Sequence, residues 1–466
     1  MMALSIRSVD AAPAADGLAP RPRVVVVGVG HGGLECVKAF KGEPVDVLLV
    51  DRNNYHKFQP LLYQVATAGL DVGDITQAAR HILHGQDNAD FRLATVTGLD
   101  ASSKVLLTED GPPISYDHLV LAAGASTAYF GVEGAREHAF PLKNVPDAVA
   151  LRSHVLSQVE AANQNPARIE DGALNIVVVG GGPTGVETAG AMRELFEKVL
   201  EKDFPGLDIH RARVILVDGA DALMLSYDPD LRDYTKRQLE MRGAEVRLGA
   251  NVSEVSREGV VLDDGTEIQA RTVVWAAGVR ANPLADALDM AQTQAGRVVV
   301  DESLRVPEHR DVFVVGDMAG AMDPSGELYP QVAQVAIQQG QHATEQILRE
   351  HAGLAPTPFV YKDLGMMATI GRNAAILQLP SGVKLKGLIA WLGWALIHVI
   401  ALAGFQNKLS VMLSWIYNYI TYERGPRLIL TAEPEHDDLD SSANSTPGYT
   451  PAAAVVELES NSHPDM

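Results

Sequence analysis

The sequence contains a single cysteine, Cys36, among its 466 residues. One cysteine cannot form a disulfide, a CxxC redox pair or a cysteine-based metal site within one chain, so enzymes that depend on paired thiols are excluded. Cys36 lies early in a predicted helix, where we expect it to be a small buried apolar side chain. The residues also indicate no other metal site.

Basic residues are scarce, with 38 Lys and Arg against 59 Asp and Glu and a net charge of −21. No basic stripe stands out, so nucleic-acid binding is not expected. Residues 431–466 contain no lysine or arginine and are rich in Ser, Pro and Asp, which predicts a disordered acidic tail. Residues 1–22 lack the charged start and apolar run of a secretory signal and are predicted to be a disordered lead-in.

Glycine is abundant, and its placement first becomes informative near the N-terminus. A predicted strand, Val24 to Val27, runs directly into the hexapeptide GVGHGG that begins at Gly28, and a helix should follow from about Gly33. The next strand ends in Asp51. A G-x-G-x-x-G turn between a strand and a helix lets the backbone approach a pyrophosphate, which the helix N-terminus then binds. An acid at the end of the second strand accepts hydrogen bonds from ribose hydroxyls.

The same pattern recurs in the middle of the chain. A strand over residues 175–179 leads into Gly180 and the sequence GGGPTGVE, and a long helix is predicted from about residue 184 to 202. The strand after it ends in Asp218. The longer spacing between loop and acid predicts an insertion, which we place around residues 204–206.

Two further strands end alike, in Ala-Ala-Gly at Gly124 and at Gly278. The chain therefore contains an internal repeat of two dinucleotide-binding units, which predicts an α/β protein with two Rossmann-like domains. Asp263-Asp264-Gly265 is expected to turn a hairpin within the second unit. A later strand delivers Asp317, and a helix over about 331–350 follows it, with Pro330 suited to the first turn.

Two dinucleotide sites in one chain usually hold FAD and a nicotinamide cofactor. The first is assigned to FAD, because the strand that ends in Asp317 returns to complete it. The second is assigned to the nicotinamide, and the carboxylate of Asp218 would repel a 2′-phosphate and so favour NADH over NADPH.

Three segments resemble the type II NADH dehydrogenases, which are single-subunit NADH:quinone oxidoreductases that pump no protons. They are residues 54–67 (NYHKFQPLLYQVAT), residues 180–187 with the following Ala189-Gly190, and residues 333–340 (AQVAIQQG). The resemblance covers about residues 22–430. It implies two glutathione-reductase-type domains with non-covalent FAD, NADH as substrate, a quinone as acceptor and a C-terminal helical membrane-binding segment.

The resemblance also implies roles for individual residues and an order of domains. The FAD-binding residues would be Gly28, Gly30, Gly33, Asp51, Gly124 and Asp317. The NADH-binding residues would be Gly180, Gly182, Gly185, Asp218 and Gly278. The catalytic residues would be Glu187, near nicotinamide and flavin, with Gln334 and Gln338 in a quinone pocket. The domains would be an FAD domain in two parts (23–140 and 290–355), an NADH domain (141–289) and a membrane-anchoring domain (356–430).

Two of these assignments have competing explanations. Glu187 is either a proton relay or hydrogen-bond anchor, or an ordinary acid favoured by the dipole at a helix N-terminus. Gln334 and Gln338 continue with Gln341 and Glu345 as one polar stripe along the helix, which a solvated helix face also explains.

The C-terminal region is apolar and aromatic, with three of the four tryptophans at Trp391, Trp394 and Trp415 and flanking lysines and arginines. The stretch from Gly387 to Phe405 is compatible with a bilayer span, with a buried core or dimer helix, or with a monotopic helix in the membrane interface, which the resemblance favours. We expect a peripheral protein on the cytoplasmic face of the bacterial inner membrane, with a homodimer as one arrangement.

The leading hypothesis is an enzyme that passes electrons from NADH to menaquinone or ubiquinone. One alternative is a soluble NADH-dependent reductase for a ferredoxin-type protein, and another is a slow flavin-bound redox sensor similar to relatives of the apoptosis-inducing factor. A sulfide:quinone oxidoreductase would need paired cysteines, which the chain lacks.

Overall fold

The structure is a computed structural model that describes residues 21–109, 111–421 and 425–430. The predicted disordered segments, 1–22 and 431–466, therefore lie outside the described residues except for Arg21 and Pro22. Inside these ranges, the first strand, helix and second strand stand where the glycine motif predicted them.

The chain up to residue 141 alternates strands with short helices. Its strands are β1 (Arg23–Val27), β2 (Asp46–Asp51), β3 (Tyr55–Lys57), β4 (Thr76–Ala78), β5 (Ala89–Leu93), β6 (Val96–Asp100), β7 (Val105–Thr108), β8 (Ile114–Ser115), β9 (His118–Leu121), β10 (Ala125–Thr127) and β11 (Phe140–Pro141). Its helices are α1 (His31–Ala39), α2 (Leu62–Ala66), α3 (Val72–Ile75), α4 (Ala79–Leu83) and α5 (Ala135–His138).

The middle of the chain repeats the arrangement with longer helices. Its helices are α6 (Val145–Gln164), α7 (Pro183–Leu195), α8 (Glu201–Asp203), α9 (Pro229–Met241) and α10 (Leu284–Ala287). Its strands are β12 (Asn175–Val179), β13 (Arg213–Asp218), β14 (Ala244–Leu248), β15 (Val252–Ser256), β16 (Gly259–Leu262), β17 (Glu267–Gln269), β18 (Thr272–Trp275) and β19 (Val279–Ala281).

The last part begins with the returning strand and ends with two apolar helices. Its strands are β20 (Arg305–Val306), β21 (His309–Val314), β22 (Met366–Gly371), β23 (Ala374–Gln378) and β24 (Lys384–Gly387). Its helices are α11 (Ala333–His351), α12 (Leu388–Ala401) and α13 (Phe405–Thr421).

Two parallel sheets form the frame, as the internal repeat predicted. The first has the order β20-β21-β9-β1-β2-β5, and the second has the order β11-β18-β12-β13-β14. Except for the antiparallel edge strand β20, every pair in both sheets is parallel. Their central strands are runs of buried Val, Leu and Ile, because helices cover both faces of a parallel sheet.

Each parallel sheet carries a small antiparallel sheet, β6-β7-β8 in the first unit and β15-β16-β17 in the second. The predicted hairpin turn at residues 263–265 joins β16 to β17. The two units are linked by a ribbon that the sequence did not predict, in which β10 and β19 pair antiparallel with Ser126 opposite Arg280. Since each of these strands follows an Ala-Ala-Gly segment, the ribbon ties the two closing strands together.

The helix predicted over about 184–202 is confirmed, since the chain is helical from Pro183 to Asp203, with a π-helical turn (Phe196–Leu200) between α7 and α8. The predicted insertion follows directly after α8. One detail of the predicted helices was wrong. Pro330 is not in the first turn of α11, which begins at Ala333 after Val332, an N-cap residue with extended backbone.

The C-terminal apolar stretch is also divided, because α12 ends at Ala401 and the chain turns at Gly404 (φ +80°) before α13. Within the described ranges, no helix is both long enough and apolar enough to cross a membrane. Trp394, Ala390 and Val411 are buried in a core shared with α2, α6, α7 and the β22–β23 hairpin, so one side of α12 and α13 packs on the protein.

Candidate functional site

The predicted FAD residues meet at one edge of the first sheet. Gly28 follows β1, Asp51 ends β2, Gly124 follows β9 and Asp317 follows β21, and these are four adjacent strands. Because parallel strands end at the same edge, residues 289 positions apart in the chain lie at one crevice, where ligands bind in open α/β sheets.

The first glycine loop is shaped by backbone contacts. Gly28 has a left-handed φ of +110°, and a Cβ there would lie 2.3 Å from the carbonyl oxygen of Ala122. A Cβ on Gly33 would lie 1.9 Å from the carbonyl oxygen of Gly28, so α1 can approach β1 only with glycine at this position. No atom lies within 4 Å of the Cβ position of Gly30, which leaves an open cradle at the N-terminus of α1.

The second loop repeats this geometry. Gly180 has a φ of +115° and its Cβ would lie 2.5 Å from the carbonyl oxygen of Ala276, while a Cβ on Gly185 would lie 1.8 Å from that of Gly180. The position beside Gly182 is again open. Both loops therefore present free N–H groups and a positive helix end to an open cradle, which suits a pyrophosphate.

The two strand-end acids hold the loops in the same way. Asp51 accepts hydrogen bonds from the backbone N–H of Val29 (2.7 Å) and Asn53 (2.7 Å). Asp218 accepts from the N–H of Gly181 and from that of Ala220 at 2.7 Å. Asp51 also accepts from Asn53 Nδ2 at 3.3 Å. A carboxylate has about four lone-pair sites, so one remains on Asp51 and two remain on Asp218 for ribose hydroxyls.

The first site has additional polar groups that fit a resident cofactor. The buried atoms His31 Nε2, Gln59 Oε1 and Gln339 Nε2 have no hydrogen-bond partner among the described residues. Gln339 Oε1 accepts from the N–H of Gly316 (2.7 Å), while Asp317 accepts from Lys143 Nζ at 3.3 Å. Burial lowers the pKa of His31 to about 3, so its ring is neutral and bonds as donor or acceptor. Together with the open position at Gly30, these groups fit FAD.

Glu187 lies on α7, one turn beyond the second loop, and is partly buried. Its Oε1 accepts a hydrogen bond from the N–H of Thr369 at 3.1 Å. Burial raises the pKa of Glu187 to about 8, so the carboxyl group carries a proton at neutral pH. A neutral carboxyl can donate a hydrogen bond, which an ionised N-terminal acid cannot.

A polar chain leads from Glu187 toward the C-terminal helices. The Tyr63 hydroxyl lies 2.9 Å from Thr369 Oγ1 and accepts from Gln64 Nε2 at 3.0 Å, and Gln64 in turn accepts from Trp415 Nε1 at 2.8 Å. No motif or spacing in the sequence singles out Tyr63, Gln64 or Thr369 as individual site residues. Tyr63 and Gln64 do fall in the family-like segment 54–67, which was the available signal.

Gln334 and Gln338 of α11 do not form a solvated helix face, because both are bonded to another segment of the chain. Gln338 pairs with both backbone groups of Lys362, donating to its oxygen at 2.9 Å and accepting from its N–H at 2.9 Å. Gln334 donates to the oxygen of Gly365 at 3.0 Å and accepts from the Tyr361 hydroxyl at 3.1 Å. They hold an extended segment, residues 354–365, which we call the strap.

The predicted polar stripe on α11 does not contact the strap along its whole length. His342 and Gln346, not Gln341 and Glu345, continue the contact with the strap, and both bond to Thr357. Gln341 contacts Glu35 and Glu345 pairs with Arg349. Each amide of Gln334 and Gln338 still has one N–H that these bonds leave for another acceptor.

The outer surfaces of α12 and α13 are apolar and exposed. Most of the surface of side chains such as Ile389 (69% exposed), Leu396 (62%), Ile400 (62%) and Ile420 (72%) is not covered by the described part of the chain. On the inner side, Asn418 donates to the oxygen of Gly69 and Trp415 bonds Gln64, so the helices are fixed to the segment that carries Tyr63.

Comparison with known proteins identifies several relatives. Residues 22–340 match the family described as pyridine nucleotide-disulphide oxidoreductase. The chain is 39% identical over 421 residues to the type II NADH:quinone oxidoreductase Ndh of Mycobacterium tuberculosis, covering 87% of this chain and 89% of that protein. It is 31% identical to the mitochondrial internal alternative NAD(P)H-ubiquinone oxidoreductase A1 of Arabidopsis thaliana, with 87% and 86% covered.

Among solved structures, the fold is similar to that of NDH2 from Plasmodium falciparum in complex with NADH. The TM-score is 0.80 at 18% sequence identity, with 88% of this chain and 100% of that chain covered. The sulfide:quinone oxidoreductase of Aquifex aeolicus is also similar, with a TM-score of 0.64 at 17% identity over 86% of this chain and 94% of that chain.

Proposed function

Because this chain belongs to the pyridine nucleotide-disulphide oxidoreductase family and, within it, to the type II NADH:quinone oxidoreductases, we propose that it oxidises NADH and reduces a quinone. It is an FAD-dependent NADH dehydrogenase that works without proton pumping. The observation that carries this function is the similarity to the mycobacterial enzyme over 87% of the chain, combined with two open glycine cradles.

FAD bound in the first unit would supply the two-electron redox chemistry that connects NADH oxidation to quinone reduction. The first unit holds it through six residues, and α11 covers the helix behind the loop. These residues are Gly28, Gly30, Gly33, Asp51, Gly124 and Asp317. The second unit binds NADH as an exchanging substrate through Gly180, Gly182, Gly185, Asp218 and Gly278.

We assign the binding and protonation of the quinone to Glu187, Gln334 and Gln338. Reduction of a quinone to a quinol takes up two protons, and Glu187 is protonated at neutral pH. Its O–H is therefore suited to donate to a quinone oxygen. Gln334 and Gln338 each have one N–H left for a quinone carbonyl, while their other polar atoms keep the strap in place.

We propose a monotopic attachment to the cytoplasmic face of a membrane, where a quinone enters from the lipid. The exposed apolar faces of α12 and α13 support the attachment itself. Aliphatic side chains on one side and exposed aromatic residues such as Tyr417 and Tyr419 are what an interfacial helix uses. A homodimer that covers part of the same surface is the competing arrangement. The ferredoxin-type reductase and the redox sensor are not favoured, because relatives that match 87% of this chain are named quinone oxidoreductases.

Anaerobic stopped flow tests the activity. The yellow protein is mixed with NADH and then with a short-chain quinone, and flavin absorbance is followed. We expect fast bleaching and fast recovery. Fast bleaching with slow recovery would contradict quinone reduction and would instead indicate a protein acceptor or a sensor.

Vesicle sedimentation tests the attachment. A double Leu396→Asp and Ile400→Asp variant should stay in the supernatant while wild type pellets, because two charges in the interface oppose insertion. Leu107→Asp is a matched control, since Leu107 is 44% exposed on β7, which pairs with β6 and β8 in the small antiparallel sheet of the first unit. Equal pelleting of both variants would contradict the attachment, and a change from dimer to monomer would favour the homodimer.

A further inference from the structure

The second unit contains a cavity of about 320 Å³ at the carboxyl ends of β12, β13 and β18. Asp218, Gly219 and Asn251 line one side and Phe130 lies on the other. The cavity lies next to Gly180, so a dinucleotide with its pyrophosphate on the glycine loop would place its adenosine there. This step rests on the proposed function, which assigns NADH to the second unit.

Asn251 occupies the space beside Gly219, the residue that follows Asp218. A Cβ on Gly219 would lie 2.0 Å from Asn251 Oδ1 and 3.1 Å from its Cγ. Asn251 is held there, because its Nδ2 donates to Asp263 Oδ2 at 2.9 Å and its backbone oxygen accepts from the N–H of Asp263 at 2.8 Å. Residue 219 therefore cannot carry a side chain unless Asn251 moves.

The first unit shows that this restriction is not a property of the fold. There the acid Asp51 is followed by Arg52, whose side chain is exposed at the corresponding position. The second unit has glycine after Asp218 and an asparagine in the space that a longer side chain would enter. The difference lies next to the ribose, the part of the nucleotide in which NADPH and NADH differ.

A site that accepts NADPH needs a cation beside the 2′-phosphate, and arginine is the side chain best suited to this contact. Position 219 is next to the ribose, and Asn251 blocks it. Behind Asn251, the carboxylate of Asp263 adds a second negative charge. We propose that Asn251 is a specificity-determining residue, which occupies the space beside position 219 and so keeps a cationic side chain away from the 2′-phosphate, while Asp218 repels that phosphate by charge.

The test compares equilibrium binding of ADP-ribose and 2′,5′-ADP to the FAD-loaded protein by isothermal titration calorimetry. The variants are Asp218→Ala, the double variant with Gly219→Arg added, and the triple variant with Asn251→Ala as well. We expect the double variant to bind 2′,5′-ADP no better than Asp218→Ala, and the triple variant to bind it about tenfold more tightly than the double, as one new ion pair would give. Equal affinity of the double and triple variants would overturn the proposal.

A second set of variants, with smaller substitutions, tests the proposal if the triple variant does not fold. Gly219→Ala should weaken ADP-ribose binding, and adding Asn251→Ala should restore most of the loss because the overlap disappears. Gly206→Ala is the matched control, since no atom lies within 4 Å of its Cβ position and it does not line the cavity. Absence of rescue would overturn the proposal. Failure of wild type to bind ADP-ribose would overturn the assignment of NADH to this unit and the proposal with it, whatever the quinone activity.

Discussion

The two dinucleotide units have the same loop but different surroundings, and the difference is clearest at one glutamate. Glu35 and Glu187 each lie seven residues after the first glycine of their loop. Glu35 is paired with Lys38 at 2.9 Å, whereas Glu187 is partly buried and accepts from the N–H of Thr369, and burial raises its pKa to about 8. The motif places an acid in both units, and the neighbouring elements give the two acids different environments.

The element that packs on the helix after each glycine loop also differs between the two units. On α1, a Cβ on Gly340 of α11 would lie 2.1 Å from the oxygen of Gly32, so two helices are in direct backbone contact. On α7, a Cβ on Gly190 would lie 1.9 Å from the oxygen of Ile370 in the β22–β23 hairpin. The first covering fixes α11 against α1, and the second brings Thr369 beside Glu187. This difference supports the proposal that the first loop serves a resident cofactor and the second an exchanging substrate.

We expect the largest effect from adding a methyl group to the tightly packed glycine of each loop, one loop at a time. Gly33→Ala should produce protein without flavin, because the added methyl group overlaps the oxygen of Gly28 and displaces α1 from the pyrophosphate. Gly185→Ala should keep the yellow colour and lose NADH binding by about thirtyfold or more, since overlap of this kind costs roughly 2 kcal/mol or more. The measurements are the flavin-to-protein absorbance ratio and the NADH dependence of flavin bleaching.

The matched controls are Gly30→Ala and Gly182→Ala, whose Cβ positions are open. They should fold normally and affect only the ligand that occupies the cradle. If Gly185→Ala also lost its flavin, the two units would not be independent and the comparison would fail.

The next effect is expected at the strand-end acids. Asp218→Asn should raise the KM for NADH by about tenfold, because a charge-assisted hydrogen bond to a ribose contributes roughly 1.5 kcal/mol or more. Asp51→Asn should leave that KM unchanged and instead speed the release of FAD on dilution. Steady-state kinetics and flavin fluorescence measure the two effects, and an exchanged pattern would reverse the assignment of the sites.

The third prediction concerns the pH dependence of Glu187. Its folded pKa of about 8 lies above the ordinary value of 4.5, so between these values the folded protein holds a proton that the unfolded chain has lost. The stability contribution of this group therefore falls as the pH rises through that window. Glu187→Gln should reduce the drop in Tm between about pH 6 and about pH 9 and should slow flavin reoxidation by quinone.

Glu35→Gln is the control for Glu187→Gln, since it changes the same motif position in the first unit. It should leave both the pH dependence of Tm and the rate of reoxidation near wild type. An identical response of the two variants would show that the buried setting of Glu187 has no special consequence.

The smallest effect is expected at the strap. Gln338→Ala removes two hydrogen bonds to Lys362, each contributing about 1 kcal/mol, and should raise hydrogen exchange at residues 361–365 while FAD and NADH binding remain unchanged. Gln341→Ala is the control on the same helix, because its amide contacts Glu35 and not the strap. Unchanged exchange in the Gln338 variant would show that other contacts hold the strap.

Local motifs allowed much of the frame to be predicted. A glycine loop, a strand-end acid and an Ala-Ala-Gly strand are each determined by a few adjacent residues, and Gly28, Asp51, Gly180 and Asp218 stand where those patterns place them. The repeat predicted two parallel sheets for the same reason. The assignments of individual residues to FAD, NADH and quinone remain predictions.

Features that depend on distant segments were not predictable. The setting of Glu187 requires Thr369 from β22, and the role of Gln338 requires an irregular strap that has no periodic pattern. The antiparallel ribbon of β10 and β19 joins segments about 150 residues apart, so no local sequence pattern predicts the pairing. In the same way, Asn251 and Gly219 are ordinary residues until the fold brings them together.

The strap has a consequence for how this protein can diversify. Most of its bonds to α11 use its own main chain, at Ala355, Thr357, Lys362, Leu364 and Gly365. A segment held by its backbone keeps its path when its side chains are exchanged. Exposed positions such as Val360 and Leu364 are therefore free to change. Natural variation can thus reshape the surface of the strap while the helix that supports it stays constant.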